Sequence, residues 1–355
     1  MKKIYVYFIS LLFAGCTMSE NYVEYSFSHS DFSQTINLKG STVEVGEMMN
    51  PDDMFLVCDT LILASNDDPA QREKLQLFSL ITGKRISSFG AKGHARNELV
   101  SCGIKIPFSS SDIFYIDDIT QSRYWECSID SLVNGRNPIL NIFDYSKDVI
   151  SILPIDTTYI GFNFWYLNDS RYNNGIEHAI GEYEMKESND RNRSIKYSSF
   201  VANVTGGVMV RNPHNNDIWV AYNHDNLIEI YDSSLQLKRK MMGPDNVHRY
   251  FTTERVKNKD FVLFEKDKHV GCYYAAVGTE RHVYLLYRNI NNVPFPRKPQ
   301  PVEIFEINWN GELLCNYQLD RYAYCISIDS EERFLYAACV NPNSNDVELV
   351  RYKLK

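Results

Sequence analysis

The sequence predicts an all-β fold: a six-bladed β-propeller of four-stranded antiparallel blades, its ring closed by a strand from the N-terminal side. Three observations carry that expectation. Short runs of aromatic and β-branched residues, each led by an acidic or polar residue, recur six times. Their spacing stays near the length of one propeller blade. The 355-residue chain also holds 24 Tyr and 19 Phe, which suit a pleated, half-buried surface.

The six runs are "DTLILAS" (59–65), "SDIFYID" (111–117), "DTTYIGFNF" (156–164), "NDIWVAY" (216–222), "ERHVYLLY" (280–287) and "ERFLYAAC" (332–339). With Leu61, Ile113, Tyr159, Ile218, Val283 and Phe334 as reference points, the intervals are 52, 46, 59, 65 and 51 residues. Each run is preceded by an apolar stretch such as "MFLVC", "VISILPI" or "YAYCISI". Each is followed, after a polar loop, by an alternating partner such as "KLQLFSL", "LIEIYDS" or "VELVRYKL". A tight turn and a fourth strand come next in several units, as in "SLITGKRISSFG". Period-2 alternation with Asn, Asp and Gly at the joints is the mark of strands and hairpins, and no amphipathic helix of length competes with it. In the last unit "VELVRYKL" is followed only by Lys355, so its fourth strand is expected from 31–45, "DFSQTINLKGSTVEV". That pairing would cover an edge that otherwise invites association.

The chain opens "MKKIYVYFISLLFAGC", two lysines and an apolar run from Ile4 to Phe13 broken only by Ser10. The run is too short to span a bilayer, so residues 1–15 read as a signal peptide. Ala14-Gly15 before Cys16 resembles the lipobox of bacterial lipoproteins, with Phe13 where leucine is usual. That resemblance implies acylation of Cys16, which would anchor the protein without a transmembrane helix. Residues 16–30 are then expected as a tether and 31–355 as the propeller.

The formal net charge is −8 and becomes −10 once Lys2 and Lys3 are removed. No Lys/Arg-dense stretch offsets it, which argues against nucleic-acid binding. Seven cysteines remain after Cys16, an odd number with no CxxC pair, so neither a zinc ribbon nor a thioredoxin-like site is expected. Cys58, Cys102, Cys272 and Cys325 fall in the expected innermost strands of units one, two, five and six but at different heights, and buried packing thiols are the expectation.

Residues 89–99, "FGAKGHARNEL", lie between the first and second units. A phosphate loop would need GxxxxGK[ST] running into a helix, whereas strand follows here. "MMGPDNVHRY" (241–250) holds the same place after the fourth unit. Both read as joints between blades, with Gly90 and Gly93 permitting positive φ, and a binding role for His94 and Arg96 stays open. The chain is similar to the TolB-like six-bladed propeller lipoproteins of gut-type Gram-negative bacteria, which carry a lipobox and an FGxxGxGPxE segment followed by a hydrophobic residue after the first blade. Phe89, Gly90, Gly93, Glu98 and Leu99 match it, while Ala95 and Arg96 stand where that family's second Gly and Pro usually stand. The resemblance covers 50–355 and the signal. It implies fold and export, and no established chemistry.

Histidines make neither HExxH nor HxH. His94 and His248 sit in equivalent inter-blade loops and His224 in a loop on the same face; solvated loop histidines are the simpler reading. The pairs Asp52-Asp53, Asp67-Asp68 and Asp117-Asp118 abut turns, and adjacent side chains on an extended chain face opposite ways. GxSxG, SxDxGxTW, kelch double glycines and Trp-Asp repeats do not occur. The loops "NFWYLNDSRYNN" (163–174) and "RNINNVPFPRKPQP" (288–301) carry Trp165, Tyr166, Phe295 and Arg297, the residue types of protein or glycan recognition.

The expectation is a monomeric, lipid-anchored envelope protein, held at the outer membrane, whose propeller face binds a protein or glycan. Its candidate ligand-binding residues are His94, Arg96, Trp165, Tyr166, His224, His248, Arg249, Phe295 and Arg297, with no catalytic residue, cofactor or metal. The alternative is a metal-assisted propeller hydrolase or lyase acting at the central channel. The almost wholly apolar innermost runs favour binding.

Overall fold

The computed structural model describes residues 22–46, 48, 51–66, 70–107, 112–145, 149–155, 158–163, 169–173, 176–180, 206–245, 247, 251–256, 259–264, 270–291, 300–341, 343–344 and 346–354. The fold is an all-β propeller. Met54–Val57, Leu61–Ser65, Glu73–Ser79 and Arg85–Ala91 pair in chain order as the first blade. Gly103–Lys105, Ile113–Asp118, Arg123–Ser128 and Ile139–Asp144 form the second. In the third unit Val149–Ile155 pairs with Thr158–Asn163, and Asp169–Asn173 with Ile176–Ile180.

The fourth blade runs Gly207–Arg211, Ile218–Tyr222, Leu227–Tyr231 and Leu237–Met242. The fifth runs Val270–Gly278, His282–Asn291, Glu303–Asn308 and Leu313–Leu319. The last holds Tyr322–Ile328, Phe334–Val340 and Val347–Lys353. Among the described residues, five sheets therefore have four or more strands, and the place between the second and fourth blades is taken by two hairpins. All six landmark residues lie in strands.

The N-terminal segment does more than the sequence predicts. Ser41–Thr42 supplies the fourth strand of the last blade, with Thr42 opposite Val350. Gly40 makes this approach possible, because a Cβ there would lie 2.3 Å from a Val350 methyl. Before that, Gln34–Leu38 lies parallel on Leu313–Leu319, giving the fifth blade a fifth strand. Val23–Ser26 lies parallel on Leu237–Met242 and does the same for the fourth. Four-stranded antiparallel blades thus hold only in part, and the stretch expected as a tether up to residue 30 contains a strand, Val23–Ser26, and the start of a short 3-10 turn, His29–Asp31. The cause is physical: the outermost strand of each blade leaves backbone donors and acceptors unpaired, and any extended segment can take them. Side chains then fasten the strap. Phe27 and Phe32 are buried against Phe305, and His29 lies 3.4 Å from Asp245 and 3.1 Å from Glu303.

Three further departures are local. A five-residue helix, Ile129–Val133, replaces a turn in the second blade, capped by the Ser128 hydroxyl accepting the Ser131 N–H. A hairpin of Phe251–Val256 and Lys259–Phe264 is inserted before the fifth blade. Asp169–Asn173 is strand inside the stretch expected to be a loop.

The blades are held together by apolar layers between neighbours. Val57, Leu63 and Leu77 of the first blade bury against Ile104, Phe114 and Trp125 of the second. Tyr115, Tyr124 and Tyr145 pack on Ile152 of the third unit, and Leu153 and Ile160 on Val220 and Tyr222 of the fourth blade. Trp219 and Ile228 meet Tyr273 and Leu285, and Tyr284 and Leu286 meet Ile326 and Leu335. Met54, Leu56 and Ile62 of the first blade pack on Cys325, Tyr336 and Ala338 of the last. Burying each such side chain fully stabilises the fold by about 1.5–3 kcal/mol. No helix in the described residues is long and apolar enough to cross a membrane.

Candidate functional site

In an antiparallel blade, the loop leading into the innermost strand and the loop joining the second to the third strand lie at the same end. That end, the upper face, therefore gathers residues 92–102, 119–122, 223–226 and 243–245 with the starts of the innermost strands. Below it is a cavity of about 110 Å³ lined by the innermost strands of all six units, through Asp53–Leu56, Ile104–Pro107, Leu153, Val208–Val210, Tyr274–Gly278 and Tyr324–Ile328. The lining is mainly apolar. Its polar side chains are Asp52, Asp53, Lys105, Tyr274, Tyr324 and Ser327. A second, open depression of about 320 Å³ lies between the first and second blades, bounded by Asp52, Lys74, Ser101, Lys105 and Asp117.

Many polar groups here are already engaged in joining blades. Asp53 Oδ2 accepts the Ile104 N–H at 2.9 Å. Asp118 accepts the N–H groups of Val100 and Ser101 and the Gln121 amide. Its neighbour Asp117 points the other way and accepts the Tyr145 hydroxyl at 2.7 Å. Burial pushes the Asp117 carboxyl up to about 6, opposed by the Tyr145 hydrogen bond and the Lys105 charge. The two carboxylates are separately anchored joints, as alternation along a strand requires.

The stretch 89–99 has an equally specific structural task. Gly90 has φ +76°, and a Cβ there would lie 2.7 Å from Leu99 Cδ1. Leu99 is fully buried with Leu75, Leu77 and Trp125. Glu98 accepts the Ala95 N–H, Gln121 donates to the Glu98 carbonyl, and Arg123 donates to the carbonyls of Ala95 and Arg96. His94 is exposed. Arg96 reaches Asp144 at 3.4 Å on the outer strand of the second blade.

His224 is not solvated as expected; it is buried in the fourth blade's 223–226 loop. The carbonyl of its neighbour Asn223 accepts the Cys272 N–H from the fifth blade at 2.7 Å. His94 belongs to the junction of the first two blades and His224 to that of the fourth and fifth, and neither lines the cavity. Trp165, Tyr166, His248, Arg249, Phe295 and Arg297 lie outside the described residues, as do Cys16 and the signal peptide.

None of the seven described cysteines is in a disulfide, and Cys58 is exposed and Cys102 half-buried rather than buried as expected. Cys58 is in a lower-end turn and Cys102 just ahead of an upper-end strand start, so the four inner cysteines share no height. Burial pushes the Cys339 thiol up to about 12 and raises Cys127 and Cys325 further, which removes them as nucleophiles at neutral pH.

Sequence reasoning missed two groupings. At the upper face Arg288, Tyr274, Tyr322 and Tyr324 come together from three strands of the fifth and last blades. The Arg288 guanidinium lies 3.9 Å from the centre of the Tyr274 ring and 5.0 Å from that of Tyr322. At the lower end, His282, Glu306 and Glu332 bring potential metal-ligand atoms within 4.8 Å of one another. Hydrogen bonds occupy them: Glu332 accepts from His282 Nδ1 and Thr279 at 2.5 Å each and from Tyr284 at 3.1 Å, and Glu306 from Tyr317 at 2.8 Å. That set reads as a staple between the two blades, and none of its three residues lines the cavity. No local motif could have revealed either grouping, because each is spread over two blades.

A family model described as TolB-like 6-blade propeller-like matches residues 26–331. No curated protein matches. Among solved structures, a member of the DUF4221 family from Bacteroides vulgatus ATCC 8482 is similar at 10% identity and a TM-score of 0.58, over 90% of this chain and 98% of its own. A Bacteroides fragilis protein named for export is similar at 12% identity and a TM-score of 0.52, over 94% and 99%. At these identities the likeness concerns the fold alone.

Proposed function

The chain belongs to the TolB-like 6-blade propeller-like family, and from that premise we propose a non-catalytic, lipid-anchored envelope protein whose upper face binds a protein or glycan. In this reading the third unit is the sixth blade of a closed ring, sealed where Ser41–Thr42 joins the last blade. Export is supported by the leader-like first fifteen residues and by the name of one structural neighbour. Acylation at Cys16 would leave seven residues to Val23, about 25 Å when extended. The outer edge of the fourth blade would then ride close to the membrane, which we place as the outer one.

The observation that carries the binding reading is the division of labour at the upper face. Asp53 and Asp118 are spent on neighbouring backbone N–H groups, whereas Tyr274 and Tyr324 face the cavity beside Arg288. Aromatic rings with an arginine are the residue types that anchor protein and sugar partners. The alternative, a metal-assisted hydrolase or lyase at the channel, has less support, since the His282, Glu306 and Glu332 set lies at the other end and is bonded into the fold.

Cross-linking pull-down from the native envelope, beside a glycan array, tests the reading. Saturable capture that Tyr274→Ala and Tyr324→Ala weaken supports it. Hydrolytic or lyase turnover that tracks stoichiometric bound metal overturns it. Palmitate labelling that persists in Cys16→Ser would remove the anchor.

A further inference from the structure

We propose that the mouth of the central cavity contains a small oxyanion site, built on Arg288 and Tyr324, that receives the carboxylate or phosphate group of a ligand. The inference rests on the upper face being the binding face and names the chemistry it recognises.

Arg288 lies towards the upper end of the second strand of the fifth blade. Its guanidinium is held between Tyr274 and Tyr322. One terminal nitrogen donates to the Tyr324 carbonyl at 3.3 Å. Nε is buried and has no hydrogen-bond partner among the described residues. Its titratable neighbours among the described residues are Tyr322, Tyr274 and Cys325, which are neutral at physiological pH, and burial holds its pKa below the usual arginine value. A guanidinium nevertheless stays protonated at any physiological pH. The result is a shielded cation with no carboxylate ion pair among the described residues.

A second observation points to the same place. The Tyr324 hydroxyl is also buried without a hydrogen-bond partner among the described residues, and Tyr324, Tyr274 and Cys325 line the cavity. Buried polar atoms in native proteins are nearly always satisfied, so an orphaned guanidinium nitrogen and an orphaned hydroxyl, on two residues joined by the Arg288 bond to the Tyr324 carbonyl, mark a missing acceptor. Guanidinium and phenol together favour an acceptor that carries charge. With about 110 Å³ available, only the head of a ligand fits, and its remainder must project through the mouth. Asp52 and Asp53, whose charges reach Tyr324 and Cys325, repel a second negative group. The site should therefore prefer a single-headed anion to a polyanion.

The test is calorimetric and thermal-shift titration of the full chain in detergent with sodium acetate and with inorganic phosphate, against sodium chloride at equal ionic strength. The expected result is saturable binding and a raised melting temperature with acetate or phosphate, absent with chloride. Affinity should fall about tenfold or more in Arg288→Met. Should that variant misfold, Tyr324→Phe removes only the hydroxyl and should weaken binding several-fold. The stronger of the two anions identifies the head group. If neither differs from chloride, as an ordered water at the site would give, or if both variants bind like the parent, the proposal is wrong. Envelope partner capture without anion binding would sink this site alone and leave the broader reading standing.

Discussion

The Leu56 N–H donates to the Ser327 hydroxyl at 2.8 Å, joining the innermost strand of the first blade to that of the last. Both residues are buried. Ser327→Ala would leave that amide donor without a protein acceptor, at a cost of about 1–3 kcal/mol. Urea denaturation followed by tryptophan fluorescence should show the midpoint falling with an unchanged slope.

Gly90 and Leu99 form a comparable pair at the joint between the first two blades. Gly90→Ala places an L-residue at φ +76° and drives its methyl into Leu99. The expected loss is about 1–3 kcal/mol. Gly135 offers the contrast, with φ +67° and nothing within 4 Å of an added Cβ. Gly135→Ala should cost less in the same assay, and equal losses would show that the Leu99 contact is immaterial.

Glu332 makes the staple at the lower end sensitive to acid. Burial alone would raise its pKa, but hydrogen bonds from His282 and Thr279 and the charges of His282 and Arg281 bring it down to about 2. A carboxyl depressed in the folded state contributes stability above its unfolded value, near 4.5, and that contribution is lost as pH falls towards 2. The stake is roughly 2 kcal/mol after screening. Between pH 5 and pH 2.5 the unfolding free energy of Glu332→Gln should decline less than that of the parent. Parallel curves would refute the assignment.

The N-terminal strap covers the outer edges of three blades, so deleting residues 17–45 uncovers Leu237–Met242, Leu313–Leu319 and Val347–Lys353 together. Exposed edges template strand addition. Size-exclusion chromatography with light scattering should show the truncated chain self-associating where the parent does not, and a monodisperse truncation would argue that other elements protect these edges.

Much of this architecture is legible in local pattern. Period-2 alternation places the landmark strands and their partners, though not Val23–Ser26, Asp169–Asn173 or the hairpin of Phe251–Val256 and Lys259–Phe264, and Gly90 and Leu99 mark the first joint, because strand polarity and positive φ are properties of a few consecutive residues. His224 shows the limit: its own segment reads as an open loop, and it is the backbone of Cys272, arriving from the next blade, that accompanies its burial.

The amino-acid order by itself determined the repeat and the apolar inner strands, since each of these is written in neighbouring residues. Only the tertiary structure decided where the N-terminal segment docks and that Arg288 would meet Tyr274, Tyr322 and Tyr324. Edge pairing uses backbone groups common to nearly every residue, so composition cannot choose among three open edges. A guanidinium lodged between two rings depends on how two blades lean together, and that packing angle is a property of the whole ring.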